Sequence, residues 1–258
     1  MDCTAIRPAV GLENLFDRMQ LDRSAWDHSG RSAPDPGILM PTLAEARLWY
    51  PGDDPVHGFD HVLRVWYLAE QLAAAEGADR EIVRTAVLLH DAESPETGRQ
   101  PPVAGKRSSH HLDSAEFARH QLEKEGWSED RISAVEHCIR AHRFRDEREQ
   151  PQTLEARVLF DADKLDAIGA VGVARAIAYA IKHGQPAYAK PSESFIKDGI
   201  REPGEPHSAY HEFVFKLCKL KDRLSTPTAI QIAKERHRFM VDYFEQLAEE
   251  AGFQESPS

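Results

Sequence analysis

Apolar side chains recur every three or four residues along much of this chain, and this periodicity restricts the fold more than any other feature. Between His57 and Glu76 the repeat comprises Val62, Val65, Trp66, Ala69, Leu72 and Ala73. Such spacing places the apolar groups on one face of a helix. The alternating apolar and polar positions typical of strands are not sustained in any segment. The sequence therefore predicts an all-α protein.

Capping residues mark where several of these helices begin and end. Thr42 and Glu45 form a capping-box pattern at the start of one helix. Gly77 is placed to end the helix that begins near His57, and Asp79 to cap the next. Further helices are predicted over approximately 108–125, 128–142, 153–167, 168–181, 208–224 and 227–251.

Helix-breaking residues divide the chain into one helical domain and its flanking segments. Residues 1–40 are predicted to be a variable, poorly ordered leader, because the part before Pro41 is rich in breakers and poor in apolar side chains. Residues 41–252 are predicted to form the domain, followed by a tail over 253–258. Within the domain, residues 184–206 contain four prolines and three glycines, which predicts a long flexible loop.

Composition excludes several classes of protein. The net charge of −11 argues against a nucleic-acid-binding surface, although a metal and a few local cations can still dominate a pocket for a small anion. No apolar run is long enough to cross a membrane, and no signal peptide is evident. The three cysteines are scattered without disulfide or zinc spacing. We therefore expect a cytoplasmic protein with free thiols.

Histidine and aspartate residues stand in or at the ends of successive predicted helices. The apolar run Val87–Leu89 ends in His90 and Asp91, His61 lies in the preceding helix, and Asp163 lies in a later one. Side chains from several helices can meet at a metal ion inside a bundle. Imidazole and carboxylate ligands together suit a borderline transition metal such as Mn, Fe, Co, Ni or Zn.

The order of these motifs resembles the HD superfamily of metal-dependent phosphohydrolases. The matching segments are His61-Val-Leu-Arg-Val, Leu88-Leu-His-Asp91 and Ala162-Asp-Lys-Leu165. In that family a histidine, a His-Asp pair and a distant aspartate bind the metal. The resemblance implies an HD-domain helical bundle with four metal ligands, His61, His90, Asp91 and Asp163.

The resemblance extends beyond the four ligands. His110 and His142 resemble family histidines that hold a second metal or contact phosphate, whereas His111 is expected to point outward. The segment Asp161–Ala170, together with the pattern near the carboxyl end, looks like the bacterial YpgQ/YedJ-type branch. That likeness covers about residues 42–250. It implies cleavage of a nucleoside triphosphate to the monophosphate and pyrophosphate.

A second set of residues is predicted to assist catalysis or bind substrate. One turn before His61, His57 would lie near the metal, and Glu93 follows the His-Asp pair and could orient the attacking water. Four cationic or titratable residues are candidates for phosphate contact, and all are types also common on a solvated helix face: Lys164, Arg175, His211 and Lys216.

The sequence thus predicts a hydrolase that uses one or two divalent ions, with Mn favoured over Co, Ni, Fe or Zn. A bound cation lowers the pKa of its water and neutralises phosphoryl oxygens. A phosphodiesterase or a 5′-nucleotidase is the nearest alternative. An HD-fold di-iron oxygenase and a non-catalytic nucleotide-binding module are alternatives of other classes. The expected partner is a small anionic nucleotide, and a homodimer is compatible with the sequence.

Overall fold

A computed structural model describes residues 40–50, 58–92, 110–143 and 149–252. These residues form α1 (Leu43–Arg47), α2 (Phe59–Glu76), α3 (Arg80–Leu89), α4 (His110–Lys124), α5 (Glu129–Ala141), α6 (Leu154–Asp166), α7 (Gly169–Lys182), α8 (Glu193–Asp198), α9 (Ala209–Phe215) and α10 (Pro227–Gly252). A 3₁₀ helix, Leu217–Arg223, separates α9 from α10. The described ranges contain no strand, so the all-α prediction is confirmed.

The predicted capping residues act where the sequence placed them. Thr42 and Glu45 form a reciprocal capping box at the start of α1. Gly77 ends α2 with a φ of 78°, a left-handed conformation that glycine adopts without steric cost. The Asp79 carboxylate then accepts hydrogen bonds from the first amides of α3, at 2.9 and 3.2 Å. Local sequence therefore sets the sharp turn between α2 and α3.

The core lies where α2 packs against α3 and α6, with α5 completing this side of the bundle. All six positions of the apolar repeat in α2 are buried, as predicted: Val62, Val65, Trp66, Ala69, Leu72 and Ala73. Leu88 on α3 and Leu159 on α6 are fully buried beside them. This packing brings the carboxyl end of α3 against the first turn of α2 and the last turn of α6.

No helix in the described ranges is both long and apolar enough to cross a membrane.

The region from residue 184 to 224 contains more local structure than the sequence suggested. Residues 184–206 include the short helix α8, whose first turn is capped by the Ser192 hydroxyl. The predicted helix over 208–224 is divided at Lys216 and continues as a 3₁₀ helix. A repeat of three residues per turn puts Leu217 and Leu220 on the same side, and both are buried.

The beginning of α10 is attached to α6 by a buried carboxylate. Asp161 accepts hydrogen bonds from the backbone amides of Ser225 and Thr226 and from the Thr226 hydroxyl, the last at 2.7 Å. These donors lie just before α10, so Asp161 positions that helix against the bundle. The predicted leader over residues 1–40, apart from Met40, and the predicted tail over 253–258 lie outside the described residues. The domain limits remain predictions.

Candidate metal centre

Three of the four predicted metal ligands converge between α2, the end of α3 and α6. One potential ligand atom from each of His61, His90 and Asp163 lies within 4.8 Å of the other two. The His61 Nε2 and Asp163 Oδ1 atoms are 3.3 Å apart. Both imidazoles are almost wholly buried. The structure therefore brings two nitrogen donors and one carboxylate into a single small space.

The Nε2 atom of His90 lies in an environment suited to a metal ligand. His90 follows the last residue of α3, and its Nδ1–H donates to the Val87 carbonyl at 2.7 Å. Because a carbonyl can only accept, Nε2 must carry the lone pair. That nitrogen is buried and has no hydrogen-bond partner among the described residues. Leaving such an acceptor unpaired costs about 1–3 kcal/mol, and a bound cation would remove that cost.

Burial also keeps the His90 ring in the form that binds metal. Removal from water, which disfavours the imidazolium, lowers the pKa of His90 to about 4. The ring is therefore neutral at pH 7. The donor set and its protonation state both fit a divalent transition metal.

Asp91 connects this group to His142 at the end of α5. Its Oδ2 lies 3.6 Å from His90 Nε2, and its Oδ1 lies 3.5 Å from His142 Nε2. His142 repeats the arrangement of His90, because its Nδ1–H donates to the Ile139 carbonyl one turn earlier. Asp91 itself is not part of the 4.8 Å group. Contacts of 3.3 to 3.6 Å thus link two carboxylates and three imidazoles in one cluster.

A further buried carboxylate, Asp166, lies behind His61. The His61 Nδ1–H donates to Asp166 Oδ2 at 2.7 Å, and Arg64 and Arg175 donate to the same carboxylate at 2.7 and 2.6 Å. Burial by itself would raise the pKa of Asp166, but the hydrogen bonds from His61 and Arg64 outweigh it and hold the pKa at about 2. The ionised carboxylate therefore fixes the proton on Nδ1 and leaves Nε2 directed toward Asp163.

A bound cation would compete with a proton for the position between His61 and Asp163. Burial alone would lower the pKa of His61, but its hydrogen bonds to Asp163 and Asp166 outweigh burial and raise the pKa. A cation bound to Nε2 would replace the proton shared with Asp163. The site accordingly combines oriented donors with a carboxylate already adjacent to them.

Lys164 lies within the centre, whereas Arg175 lies behind it. The Lys164 ammonium is 2.6 Å from Asp163 Oδ2 and donates to the His142 carbonyl at 2.9 Å. Burial would raise the pKa of Asp163, but Lys164 and His61 bring the pKa well below its usual range. Arg175, a candidate for phosphate contact, places its guanidinium on Asp166 and so supports His61.

His211 and Lys216 are engaged in a separate cluster. His211 is fully buried, and its ring nitrogens contact the Ser208 hydroxyl at 2.7 Å and Glu205 at 3.0 Å. Lys216 pairs with Glu212 at 2.6 Å. Within the described part of the chain, no contact joins either residue to the metal centre. The His211–Glu205 contact connects α9 to the segment before it, whereas the Lys216–Glu212 pair lies within the end of α9.

Three of the predicted site residues fall wholly or partly outside the described part of the chain. His57 and Glu93 lie outside the described residues, and His110 begins α4 without a described side chain. The neighbouring His111 was expected to point outward, and that expectation is wrong. His111 is buried, with its Nδ1 3.4 Å from an Arg143 guanidinium nitrogen.

Two further hydroxyl groups hold the end of α3 in place. Tyr50 donates to the Leu88 carbonyl at 3.0 Å, and Ser114 donates to the Ala92 carbonyl at 3.0 Å. These carbonyls flank His90 and Asp91, so both hydroxyls fix the backbone that carries the pair. The partners are 38 and 22 residues apart in sequence, and no local signal identifies them. Asp166, by contrast, lies three residues after Asp163, a spacing that already placed it near the same face of α6.

Comparison with known proteins finds a family match over the part of the chain that contains this centre. The HD domain family model matches residues 58–168, which include all four predicted ligands. Bacillus subtilis YpgQ, an uncharacterized protein, is 36% identical over 197 residues, covering 74% of this chain and 82% of YpgQ.

Solved structures show the same relationship. The crystal structure of B. subtilis YpgQ in complex with ADP aligns with a TM-score of 0.59 at 33% identity, over 81% of this chain and 97% of that one. An HD-superfamily hydrolase from Bacillus thuringiensis aligns with a TM-score of 0.59 at 29% identity, over 82% and 95% of the two chains. The chain thus belongs to the HD superfamily of metal-dependent hydrolases, in agreement with the resemblance in its motifs.

Proposed function

We propose that this hydrolase cleaves a nucleoside triphosphate to the monophosphate and pyrophosphate, with a divalent transition metal as cofactor. The observation that carries the proposal is the close group of His61, His90 and Asp163 with the Lys164 ammonium beside it. A metal site with an adjacent fixed cation suits phosphoryl transfer, which depends mainly on positioning and charge stabilisation.

The metal would be held by the residues whose donor atoms already converge. These are His61 and His90 through Nε2 and Asp163 through its carboxylate, with Asp91 beside them. The mixed nitrogen and oxygen donors favour Mn, and Co, Ni, Fe or Zn also suit them. When bound, the cation would lower the pKa of a coordinated water and offset charge on phosphoryl oxygens. A second ion, if present, would use His142 and His110.

The chain's own residues supply orientation and charge around that ion. Lys164 donates two of its three ammonium N–H groups, one to Asp163 and one to the His142 carbonyl. Its third donor can meet a phosphoryl oxygen next to the metal carboxylate. Asp166 keeps His61 in the tautomer that ligates, and the end of α3 is fixed by Tyr50.

The nucleotide part of the proposal is supported by a relative. B. subtilis YpgQ has been crystallised with ADP, and it covers most of this chain at 33% identity. The choice of a triphosphate and of the α–β phosphoanhydride bond comes from the YpgQ/YedJ-type resemblance in the Asp161–Ala170 segment. Phosphodiesterase and 5′-nucleotidase activity give different products and can be separated from it directly.

Product analysis tests this function. The full chain is incubated with Mn²⁺ and separate nucleoside tri-, di- and monophosphates, and the products are resolved by ³¹P NMR. We expect pyrophosphate from triphosphates, no turnover by His90→Ala, and unchanged products from His137→Ala. His137 is a matched control, because it lies on α5 and pairs with Glu149.

Other products would contradict the proposal. Release of orthophosphate from a monophosphate would identify a nucleotidase. Product formation that requires dioxygen, tested by repeating the assay without oxygen, would identify an oxygenase.

A further inference from the structure

The carboxyl end of α6 carries three charged groups of the candidate metal centre and lies inside the protein. Asp163 and Lys164 stand in its last turn, and Asp166 is its last residue. Leu165 and Asp166 are 0% and 1% exposed. The last four carbonyls of a helix have no partner within the helix, and a carbonyl buried without a hydrogen bond is destabilising. The buried carbonyls at this end therefore need donors from elsewhere in the fold.

Arginines from two later helices supply such donors. The Arg236 guanidinium on α10 donates to the Leu165 carbonyl at 2.6 Å, a shorter contact than the 3.3 Å from the Ile168 amide to the same oxygen. The Arg175 guanidinium on α7 lies 3.4 Å from the Asp166 carbonyl and donates to the Asp166 carboxylate at 2.6 Å. Positive charge at the carboxyl end of a helix is also favoured by the helix dipole.

Gly169, the first residue of α7, allows α10 to come this close. A Cβ atom at Gly169 would lie 3.0 Å from both Cβ and Cγ of Arg236, a separation tighter than most Cβ contacts. The φ of Gly169 is 77°, which glycine adopts without steric cost. The room left by this glycine lets the Arg236 side chain reach the end of α6.

The helix α10 and the residues just before it are attached to α6 on both sides of the metal carboxylate. Asp161 accepts hydrogen bonds from the amides that precede α10, and Leu165 accepts one from Arg236. Asp163 and Lys164 lie between these two positions in the sequence. The HD family model matches residues 58–168, so α10 lies outside the matched domain.

We propose that Arg236 is a positioning residue of the metal centre, which holds the last turn of α6 and keeps the Asp163 carboxylate beside His61. This inference rests on the metal site of the proposed function. Arg236 donates to a backbone carbonyl, so it acts through the path of α6 and not by ligation. Part of the support of the metal centre therefore comes from a helix beyond the matched family domain.

Calorimetric titration of the full chain with Mn²⁺ tests this role without any turnover. Arg236→Met keeps a long side chain but removes its hydrogen-bond donors. Loss of a direct partner of a ligand lowers metal affinity about 10- to 100-fold, and Arg236 acts one step further away, so we expect a loss of about 3- to 10-fold. Arg236→Lys keeps a charged donor and should restore most of the affinity.

Phe244→Leu is the control for a general loosening of α10. Phe244 is buried further along the same helix, where its ring stacks on Phe213 with centroids 4.5 Å apart. The smaller side chain should lower the thermal unfolding midpoint, because it leaves space in the core. We expect it to keep the parent Mn²⁺ affinity, since it does not touch the end of α6.

Several results would overturn the role of Arg236. Parent-like Mn²⁺ affinity in Arg236→Met would show that α6 keeps its path without the guanidinium, and tighter binding would show that charge repulsion outweighs positioning. Equal losses in Arg236→Met and Arg236→Lys, or in Arg236→Met and Phe244→Leu, would reduce Arg236 to a packing contact. A parent chain that binds no Mn²⁺ would refute the metal site and this inference with it. Cleavage of a different phosphate bond would refute only the proposed reaction.

Discussion

Asp166→Asn should weaken metal binding although Asp166 itself is not a proposed ligand. The carboxylate holds the His61 ring through a 2.7 Å hydrogen bond and receives Arg64 and Arg175 on the same oxygens. Asparagine keeps the shape of the side chain but removes its charge. Its amide nitrogen can then face Nδ1 as a donor, which would favour the wrong tautomer of His61. Loss of such a supporting carboxylate typically lowers metal affinity about 10- to 100-fold.

The stability change can be worked from the same site. The pKa of Asp166 is about 2, against an ordinary value of 3.8, and its side chain is only 1% exposed. Each pKa unit corresponds to about 1.4 kcal/mol, so the ionised carboxylate contributes about 2 kcal/mol to folding. Since the folded-state pKa is depressed, this contribution is present above pH 3.8 and is lost as the pH falls toward 2.

The assay compares Asp166→Asn with a matched variant on the same helix. Mn²⁺ affinity is measured by calorimetric titration, and the free energy of unfolding by urea denaturation at pH 7. Asp161→Asn is the control, because Asp161 is also buried but holds Ser225 and Thr226 at the start of α10. We expect both variants to lose stability, and Asp166→Asn alone to lose Mn²⁺ affinity. Parent-like Mn²⁺ affinity in Asp166→Asn would refute the role assigned to its carboxylate.

Three further perturbations follow from the described contacts. His90→Ala should abolish Mn²⁺ binding in titration while the far-ultraviolet circular dichroism stays helical. Burial would raise the pKa of Glu70, but Arg84 and Arg80 lower it. Glu70→Gln should therefore cost about 3 kcal/mol at pH 7 in urea denaturation, and less as the pH falls below 4.5. Gly199→Ala should lower the thermal midpoint, because φ is 71° and its Cβ would lie 2.1 Å from the Phe215 ring. A parent-like midpoint would contradict that last reasoning.

The sequence by itself determined the features that depend on neighbouring residues. Helical repeats and caps act over three or four positions, so α2 and its end at Gly77 could be predicted without knowledge of the fold. The order of His61, the His90-Asp91 pair and Asp163 also identified the family. These inferences need only residue types and their spacing.

The tertiary structure alone decided how the charged groups are distributed around the site. Asp166 contacts His61, which lies 105 residues earlier in the sequence. The same carboxylate binds Arg175, so the Arg175 guanidinium lies behind the metal centre. His211 contacts Glu205 in a separate cluster, although a histidine at this position could also have bound phosphate. Such pairings depend on which helix faces meet in the folded protein. Local periodicity does not predict them, because each charged side chain has several possible partners along the chain.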